Sequence, residues 1–456
     1  MYRGKKGYRF DMNIMFVSLG CDKNLADTEM MMGLLEKRGF SFTDDEALAD
    51  VAVVNTCCFI EDAKIESIQT LLGMAELKQT GRLKVLVAAG CLSQRYQEEI
   101  RKEIPEVDVL VGTTALEEIM EAVEEALEGR GRNHFRGLGE APAVCRDRVL
   151  TTGGHYAYLK IAEGCSKRCT YCVIPSIRGD YRSIPLEDLV SQAADLAEKG
   201  VRELILVAQE TTLYGKDLYG EKSLPRLLKR LAEIEGIRWI RILYCYPEEI
   251  TDELIDVMAE EPKVCHYLDI PIQHASDSVL RRMGRRTTQE ELRQGIRLLR
   301  ERIPDICLRT TLISGFPGET QEDFEELYRF VNEMEFDRLG VFPYSQEEGT
   351  PAAMMSGQVE QSVREARRDE LMELQQEIAF EKARDMVGRT LTAVIEGKIA
   401  EEDVYVARTY RDAPQVDGYL FVSTSACLLT GDFVRVLVTD SNEYDLIGEI
   451  ADDRED

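Results

Sequence analysis

The stretch GCSKRCTYC (164–172) places three thiols, Cys165, Cys169 and Cys172, four and three residues apart. Thiolates this close along the chain reach one metal centre from a single loop. Gly164 supplies the backbone freedom such a loop needs at its entrance. Soft sulfur ligands select zinc, copper(I) or iron–sulfur clusters over hard cations. Structural zinc sites close with four protein ligands, whereas this triplet offers three and contains no histidine. Three ligands and one open position suit an iron–sulfur cluster with one iron free of protein. Three ordinary thiols on a buried strand are the alternative. The interleaved Ser166, Lys167, Arg168 and Thr170 argue against it, because charged side chains avoid full burial.

Outward from the triplet the chain reads as strand and helix in alternation. AYLKIAEG (157–164) is a strand leading into the loop. RELILVAQ (202–209), RWIRILY (238–244), CHYLDIPIQ (265–273), CLRTTLISG (307–315) and RLGVFPY (338–344) follow as strands, with helical patterns such as 184–200, 224–236 and 321–334 between them. Six strands at this spacing predict a partial (βα)6 barrel, in place of the eight units of a closed one. The triplet falls just past the first strand, at the end where such barrels keep their chemistry.

Upstream, NIMFVSLG (13–20), VAVVNTC (51–57), KVLVAAGC (84–91) and DVLVG (108–112) are strands, and 25–40, 60–78 and 115–129 are helices. This alternation predicts an N-terminal doubly wound parallel sheet, so the class is α/β. Three of the strands run into cysteine, at Cys21, Cys57 and Cys91, spaced 36 and 34 residues apart. Each gap is about one βα repeat. Ligands in open α/β sheets gather at the carboxyl ends of strands, so these thiols are expected at one edge as a second trio. Cys58 reads as a small buried hydrophobe, and the isolated Cys245, Cys265, Cys307 and Cys427 as buried thiols. Residues 130–150 lose periodicity and gain Gly, Arg and Pro, which marks a linker with Cys145 as a bystander.

A helical pattern over 359–388 leads to the β-rich segments LTAVIEGKI, VYVARTY, GYLFVS and DFVRVLVTD. With PQVDG (414–418) and TGD (430–432) as punctuation, they predict a small OB-like β-barrel. The expected domains are thus 12–129, a linker 130–150, a barrel core 151–383 and a β-barrel 384–453. OB-like barrels often bind RNA, but an RNA-binding surface should be basic. Residues 384–456 hold 16 Asp and Glu against 7 Lys and Arg. The whole chain carries a net charge of −28, which repels phosphates and attracts a basic partner. No apolar run reaches the roughly eighteen residues of a membrane span. The leader MYRGKKGYRFD (1–11) is basic but lacks the apolar region of a signal peptide, and Met12 is an alternative start. Twelve cysteines without a secretion signal imply a reducing cytoplasm, and metal rather than disulfides.

The C-x3-C-x2-C spacing, with Tyr171 before the last cysteine, resembles the radical S-adenosylmethionine (SAM) enzymes. Together with SLGCDKNLADTE (18–29), NTC (55–57), AGC (89–91) and KIAEGCSKRCTYCVIPSIRGDYRS (160–183), it makes residues 12–453 similar to the methylthiotransferase family. The terminal barrel resembles that family's TRAM domain. The resemblance implies two 4Fe–4S clusters, one on Cys165, Cys169 and Cys172 and one on Cys21, Cys57 and Cys91. It implies that SAM serves as radical source and as methyl donor, with the second cluster delivering sulfur to a carbon radical. No residue is nominated as a catalytic acid or base.

Two branches of the family differ in substrate. The MiaB branch modifies a tRNA adenosine. The RimO branch adds a methylthio group to the β-carbon of an aspartate in ribosomal protein S-twelve. Lys23, the pair Glu347 and Glu348 in FDRLGVFPYSQEEGTPA (336–352), and the acidic barrel all lean to the RimO family. The implied partners are ribosomal protein S-twelve, free or on the small subunit, and an electron donor such as flavodoxin or ferredoxin. Neither a membrane nor a tRNA substrate is expected. A non-catalytic iron–sulfur scaffold that binds the ribosome or RNA is the remaining alternative, and it has no need of two open irons.

SAM requires a pocket at the strand ends of the barrel. Tyr171 is a candidate contact for the adenine or the cluster edge, Gln209 and Glu210 for the methionine end, and Arg309 for a carboxylate, bidentately where geometry allows. The glycines of GFPGE (315–319) permit close backbone approach. His274, Tyr244 and Tyr246 read as core packing at the pocket wall.

Overall fold

Val51–Thr56 and Val85–Gly90 are buried at every position, the signature of parallel strands covered on both faces. They are the centre of the first of two units in a computed structural model that describes residues 12–144 and 146–451. The leader 1–11 and Cys145 lie outside the described residues. The first unit holds the described residues up to Thr151, with Ala162–Arg168 and Cys172–Ile184. The second holds Thr152–Ile161, Cys169–Tyr171 and the described residues from Pro185 onward.

In the first unit the order is β1 (Asn13–Ser18), α1 (Asp22–Arg38), β2 (Ser41–Phe42), β3 (Val51–Thr56), α2 (Glu61–Thr80), β4 (Val85–Gly90), α3 (Cys91–Arg95), α4 (Gln97–Glu103), β5 (Val109–Val111) and α5 (Ile119–Leu127). The strands are parallel in the order β2-β1-β3-β4-β5. Helices cover both faces, as the apolar runs require. Met31, Leu35 and Ile119 pack with Val53 and Val87, while Leu71, Leu92 and Ile100 pack with Val54 and Leu86. Gly39 ends α1 in the left-handed region at φ 96°. The two-residue edge strand β2 and the short helices α3 and α4 carry too few periodic residues to be read from sequence. The described residues of 130–150 are irregular, as their composition predicts, yet they bond to this unit. The N–H of His134 donates to the Leu110 carbonyl at 2.8 Å, and that of Val149 to the Glu29 carbonyl at 3.2 Å.

The segment expected as one strand, 157–164, divides at Ile161. Its first part, β6 (Tyr156–Lys160), belongs to the second unit. Its second part, β7 (Ala162–Glu163), pairs antiparallel with β8 (Arg182–Ser183) in the first, and α6 (Ile174–Arg178) lies between them.

The second unit continues with α7 (Leu186–Glu198), β9 (Glu203–Val207), α8 (Lys216–Tyr219), α9 (Leu224–Ala232), β10 (Trp239–Ile242), α10 (Asp252–Glu260), β11 (Val264–Asp269), α11 (Asp277–Arg282), α12 (Gln289–Arg302), β12 (Cys307–Ser314), α13 (Gln321–Met334), β13 (Arg338–Pro343) and α14 (Gln361–Arg384). Its six-stranded parallel sheet runs β6-β9-β10-β11-β12-β13, with β6 and β13 as edges. This is the partial barrel expected. After α14 come β14 (Thr390–Lys398), β15 (Val404–Thr409), β16 (Leu420–Ser423), β17 (Phe433–Asn442) and β18 (Asp445–Ile450), closed in the order β14-β15-β16-β18-β17. The sequence reading had four of these strands and lacked β18.

Residues 408–417 of the small barrel meet the parallel strands through ion pairs and a hydrogen bond. Glu203, the first residue of β9, accepts from Arg241 Nε at 2.8 Å and Arg408 Nη2 at 2.7 Å. Arg338, the first of β13, donates to Asp412 at 2.6 Å, and the Tyr267 hydroxyl to Asp417 at 2.7 Å. Cys58, Cys245, Cys265 and Cys307 are buried as expected, but Cys427 is exposed. It sits in the connection between β16 and β17, outside the barrel's apolar interior. Among the described residues no helix is long and apolar enough to cross a membrane.

Candidate metal centre

Cys21, Cys57 and Cys91 follow β1, β3 and β4, three neighbours in the parallel order. Cys57 and Cys91 come directly after their strands, and Cys21 stands immediately before α1. The expected gathering at one carboxyl edge is therefore met. Gly20, at φ 87°, passes so close that a Cβ on it would lie 2.6 Å from Cys57 Cβ and 2.7 Å from its sulfur. Only glycine fits there.

Polar side chains missing from the sequence reading fix the three turns. Asn24 Nδ2 donates to the carbonyls of Leu19, at 2.8 Å, and Thr56, at 3.1 Å, which ties the β1 turn to β3. Thr56 Oγ1 donates to the Ala89 carbonyl at 2.6 Å and accepts from Leu92 N–H at 3.2 Å, which ties β3 to the β4 turn. The buried Ser67 hydroxyl accepts from Cys57 N–H at 2.9 Å and donates to the Cys57 carbonyl at 2.8 Å. The signal available in sequence for Asn24 and Thr56 was their place beside Cys21 and Cys57 in GCDKN and NTC, whereas Ser67, ten residues past Cys57, had none.

The electrostatics of the edge are those of crowded thiols. Burial first, then the neighbouring Cys91, pushes the Cys57 thiol up to about 12. Burial also raises Cys91, against the pull of Arg178. A metal arriving here displaces protons, as any thiolate site requires. Arg178 Nη2 lies 3.5 Å from Cys91 Sγ. Among the described residues no three His, Cys, Asp or Glu side chains are already drawn into metal-holding geometry. The donor set nevertheless fits an iron–sulfur cluster in two respects. It has three soft thiols, and a guanidinium stands beside one of them to balance thiolate charge.

The residues of the loop 164–172 are fixed within the unit each belongs to. In the first unit, Cys165 N–H donates to the Gly179 carbonyl at 3.0 Å, and Gly164, at φ 76°, leaves no room for a Cβ, which would lie 2.3 Å from the Asp180 carbonyl. Arg168 is itself left-handed at φ 57°, a conformation uncommon outside glycine. In the second unit, Thr170 N–H donates to Met283 O at 2.9 Å and its hydroxyl to Arg282 O at 2.8 Å. Cys169 Sγ is 3.3 Å from the Tyr246 hydroxyl, and the Arg285 guanidinium stacks 4.1 Å over the Tyr246 ring. Tyr246 thus touches a thiol of the triplet and is more than the core residue its sequence position suggested.

The expected SAM contacts separate into two groups. Tyr171 packs edge-on to Phe316 at 6.4 Å, in a cluster with Val279, Met283 and Tyr344. Gln209 and Glu210 follow the carboxyl end of β9. Glu210 is buried and accepts from Thr212 N–H at 2.9 Å. Arg309 lies instead near the amino end of β12, where it donates to Asp269 at 3.0 Å with Asp417 at 3.6 Å. The carboxylates it meets are the protein's own. His274 is wholly buried and its Nδ1 accepts from Ser276 N–H at 2.9 Å. Two non-glycine residues past strand ends, Tyr244 at φ 62° and Gln273 at φ 70°, are left-handed. Such strain collects at functional edges, and no sequence pattern announced it.

Three family models match the chain. The Radical SAM superfamily covers residues 159–331, the uncharacterized protein family UPF0004 covers 13–112, and the TRAM domain covers 387–451. A ribosomal protein uS12 methylthiotransferase RimO from Lachnoclostridium phytofermentans is 61% identical over 96% of this chain and 99% of its own. The proteins of the same name from Clostridioides difficile and Geobacter sulfurreducens are 48% and 49% identical, each over 96% of this chain and 99% and 98% of theirs. The chain belongs to the RimO family. As a RimO-family protein with a radical SAM domain it is an enzyme, a transferase, of a kind that uses iron–sulfur and SAM. Among solved structures, the radical SAM methyltransferase TsrM from Kitasatospora setae aligns with a TM-score of 0.55 at 16% identity, over 76% of this chain and 77% of that one. At that identity the likeness is one of fold.

Proposed function

We propose that this chain adds a methylthio group to the β-carbon of an aspartate in ribosomal protein S-twelve. The observation that carries the reading is the 61% identity over 96% of the chain to a protein named for uS12 methylthiolation. The acidic barrel supports it. Arg408 and Arg411, two of its seven basic residues, are buried in ion pairs with Glu203 and Asp337. Asp412 and Asp417 of the barrel are buried as well, so its acidic excess is left facing outward, which suits a basic protein substrate and repels an RNA backbone.

In this reading Cys165, Cys169 and Cys172 hold one 4Fe–4S cluster and Cys21, Cys57 and Cys91 hold another, each with an iron free of protein. When bound, the first supplies the electron for SAM cleavage and the second supplies the sulfur. The chain's residues bind, orient and enclose. Tyr246 contacts the Cys169 sulfur, Gly20 admits the Cys57 thiol, and Ser67 fixes the Cys57 backbone. Tyr171, Gln209 and Glu210 line the SAM side, while Arg309 holds Asp269, which accepts from Tyr244 N–H at 3.0 Å. Residues 12–129 form the sulfur-delivering domain, 130–150 its docked connection, 151–383 the radical SAM core and 384–453 the substrate-facing barrel. The cytoplasm is the compartment, and flavodoxin or ferredoxin is the class of electron donor.

Mass spectrometry of ribosomal protein S-twelve and of tRNA nucleosides from a deletion strain tests the substrate. The expected result is loss of the methylthio mass from the protein with tRNA unchanged. The opposite pattern overturns the reading. Anaerobically prepared protein should contain about eight irons and eight sulfides per chain.

A further inference from the structure

Arg178 ends α6, six residues past Cys172, and is 1% exposed. Its Nη1 donates toward Asp27 at 3.1 Å and toward both Glu163 oxygens at 3.0 Å. Its Nη2 donates to Asn24 Oδ1 at 2.6 Å and reaches Cys91 Sγ at 3.5 Å. Every one of these residues lies in the first unit. A buried ion pair alone would need one carboxylate. Here two carboxylates fix one end of the fork, and Asn24 takes one hydrogen of the other end. The remaining hydrogen is left facing sulfur. Asn24 is itself immobilised by its two donations to the β1 and β3 turns, so the aim of the fork is set by the same residues that set the cysteine edge.

We propose that Arg178 is a positioning residue for the second metal centre, donating to the Cys91 sulfur and raising the reduction potential of the cluster held there. The proposal rests on the reading of Cys21, Cys57 and Cys91 as cluster ligands. A hydrogen bond to a ligating sulfur draws electron density from it and favours the reduced cluster, one of the ways proteins set these potentials. Arginine suits the task, because its planar fork serves carboxylates and sulfur together, which a lysine ammonium cannot do in one geometry. Glu163 lies two residues before Cys165, so the same guanidinium ties the triplet loop to the edge that carries Cys91.

The test uses the full chain with Cys165→Ala, Cys169→Ala and Cys172→Ala, which leaves only the second centre. After anaerobic reconstitution with iron and sulfide it should hold about four irons. Electron-nuclear double resonance on the reduced centre, with arginine labelled with nitrogen-15, should show a coupled arginine nitrogen and an exchangeable proton. Arg178→Lys in the same background should keep its iron and titrate at a more negative potential by EPR. Absence of arginine coupling in the parent overturns the proposal, and so does an unchanged or more positive potential in an iron-loaded Arg178→Lys. A folded Arg178→Lys that takes up no iron overturns it too, because the residue would then serve assembly. If the parent itself binds no iron, the ligand reading has failed and the proposal falls with it, an outcome that iron analysis separates from the others.

Discussion

Cys165, Cys169 and Cys172 come from one loop, whereas Cys21, Cys57 and Cys91 come from the ends of three neighbouring strands. The loop needs correct turns at Gly164 and Arg168 and anchors such as Thr170. The strand edge needs a folded sheet and then a lattice of Asn24, Thr56 and Ser67 to hold three turns together. A chelate written within a short segment has little loop entropy to lose when it closes. One assembled from segments more than thirty residues apart borrows its closure from folding of the whole unit. The first trio should therefore answer mainly to changes in its own loop, and the second to any change that shifts β1, β3 or β4.

The sharpest way to break this contrast is to remove one thiol from each trio. Cys169→Ala should abolish both SAM cleavage and methylthiolation. Cys91→Ala should keep SAM cleavage, read as 5′-deoxyadenosine by chromatography, and abolish methylthiolation. Equal loss of both activities in Cys91→Ala would mean that the trios do not have separate duties.

A smaller perturbation reaches the assembled edge without replacing a ligand. Gly20→Ala drives a methyl group onto Cys57, at 2.6 Å from its Cβ. About half of the iron, roughly four atoms per chain, should be lost while that of the loop remains. Full retention of iron would show that the edge yields more readily than its close contacts imply.

Glu203 sharpens the comparison from outside, because it supports the second unit without contact to either trio. Glu203→Ala leaves Arg241 and Arg408 as buried charges without their shared carboxylate. Urea unfolding should show a loss of about 3–5 kcal/mol, with iron unchanged in protein that remains folded. Burial opposes ionisation of Glu203, but the two arginines outweigh it and hold it below the ordinary carboxylate range. Its contribution is therefore present at neutral pH and lost on acidification.

The mildest change is at the start of α13. Burial works against the Asp323 carboxylate, yet hydrogen bonds from Ser276, Ser278 and Thr320 hold it down at about 2. A depressed carboxylate stabilises the fold above its unfolded value of 3.8 and loses that effect as pH falls through about 2. Asp323→Asn should cost about 1 kcal/mol at neutral pH, as loss of a capping interaction does, and should flatten the acid limb of stability. An unchanged acid limb would assign that pH dependence to other carboxylates.

By itself the sequence determined the α/β class, the partial barrel, the closed terminal barrel and the two trios of cysteine. These rest on period, spacing and residue type, which survive in one dimension. It missed β2 and β18, whose pairing depends on neighbours rather than on their own pattern, and it misjudged Cys427, whose exposure depends on which side of the barrel a loop passes. Only the tertiary structure brought Asn24, Ser67 and Arg178 to the cysteine edge and set Arg309 among carboxylates at the amino end of its strand. A hydrogen bond between residues 154 positions apart, such as that from Arg178 to Asn24, leaves no local trace, because its geometry exists only after the segments that carry it have packed.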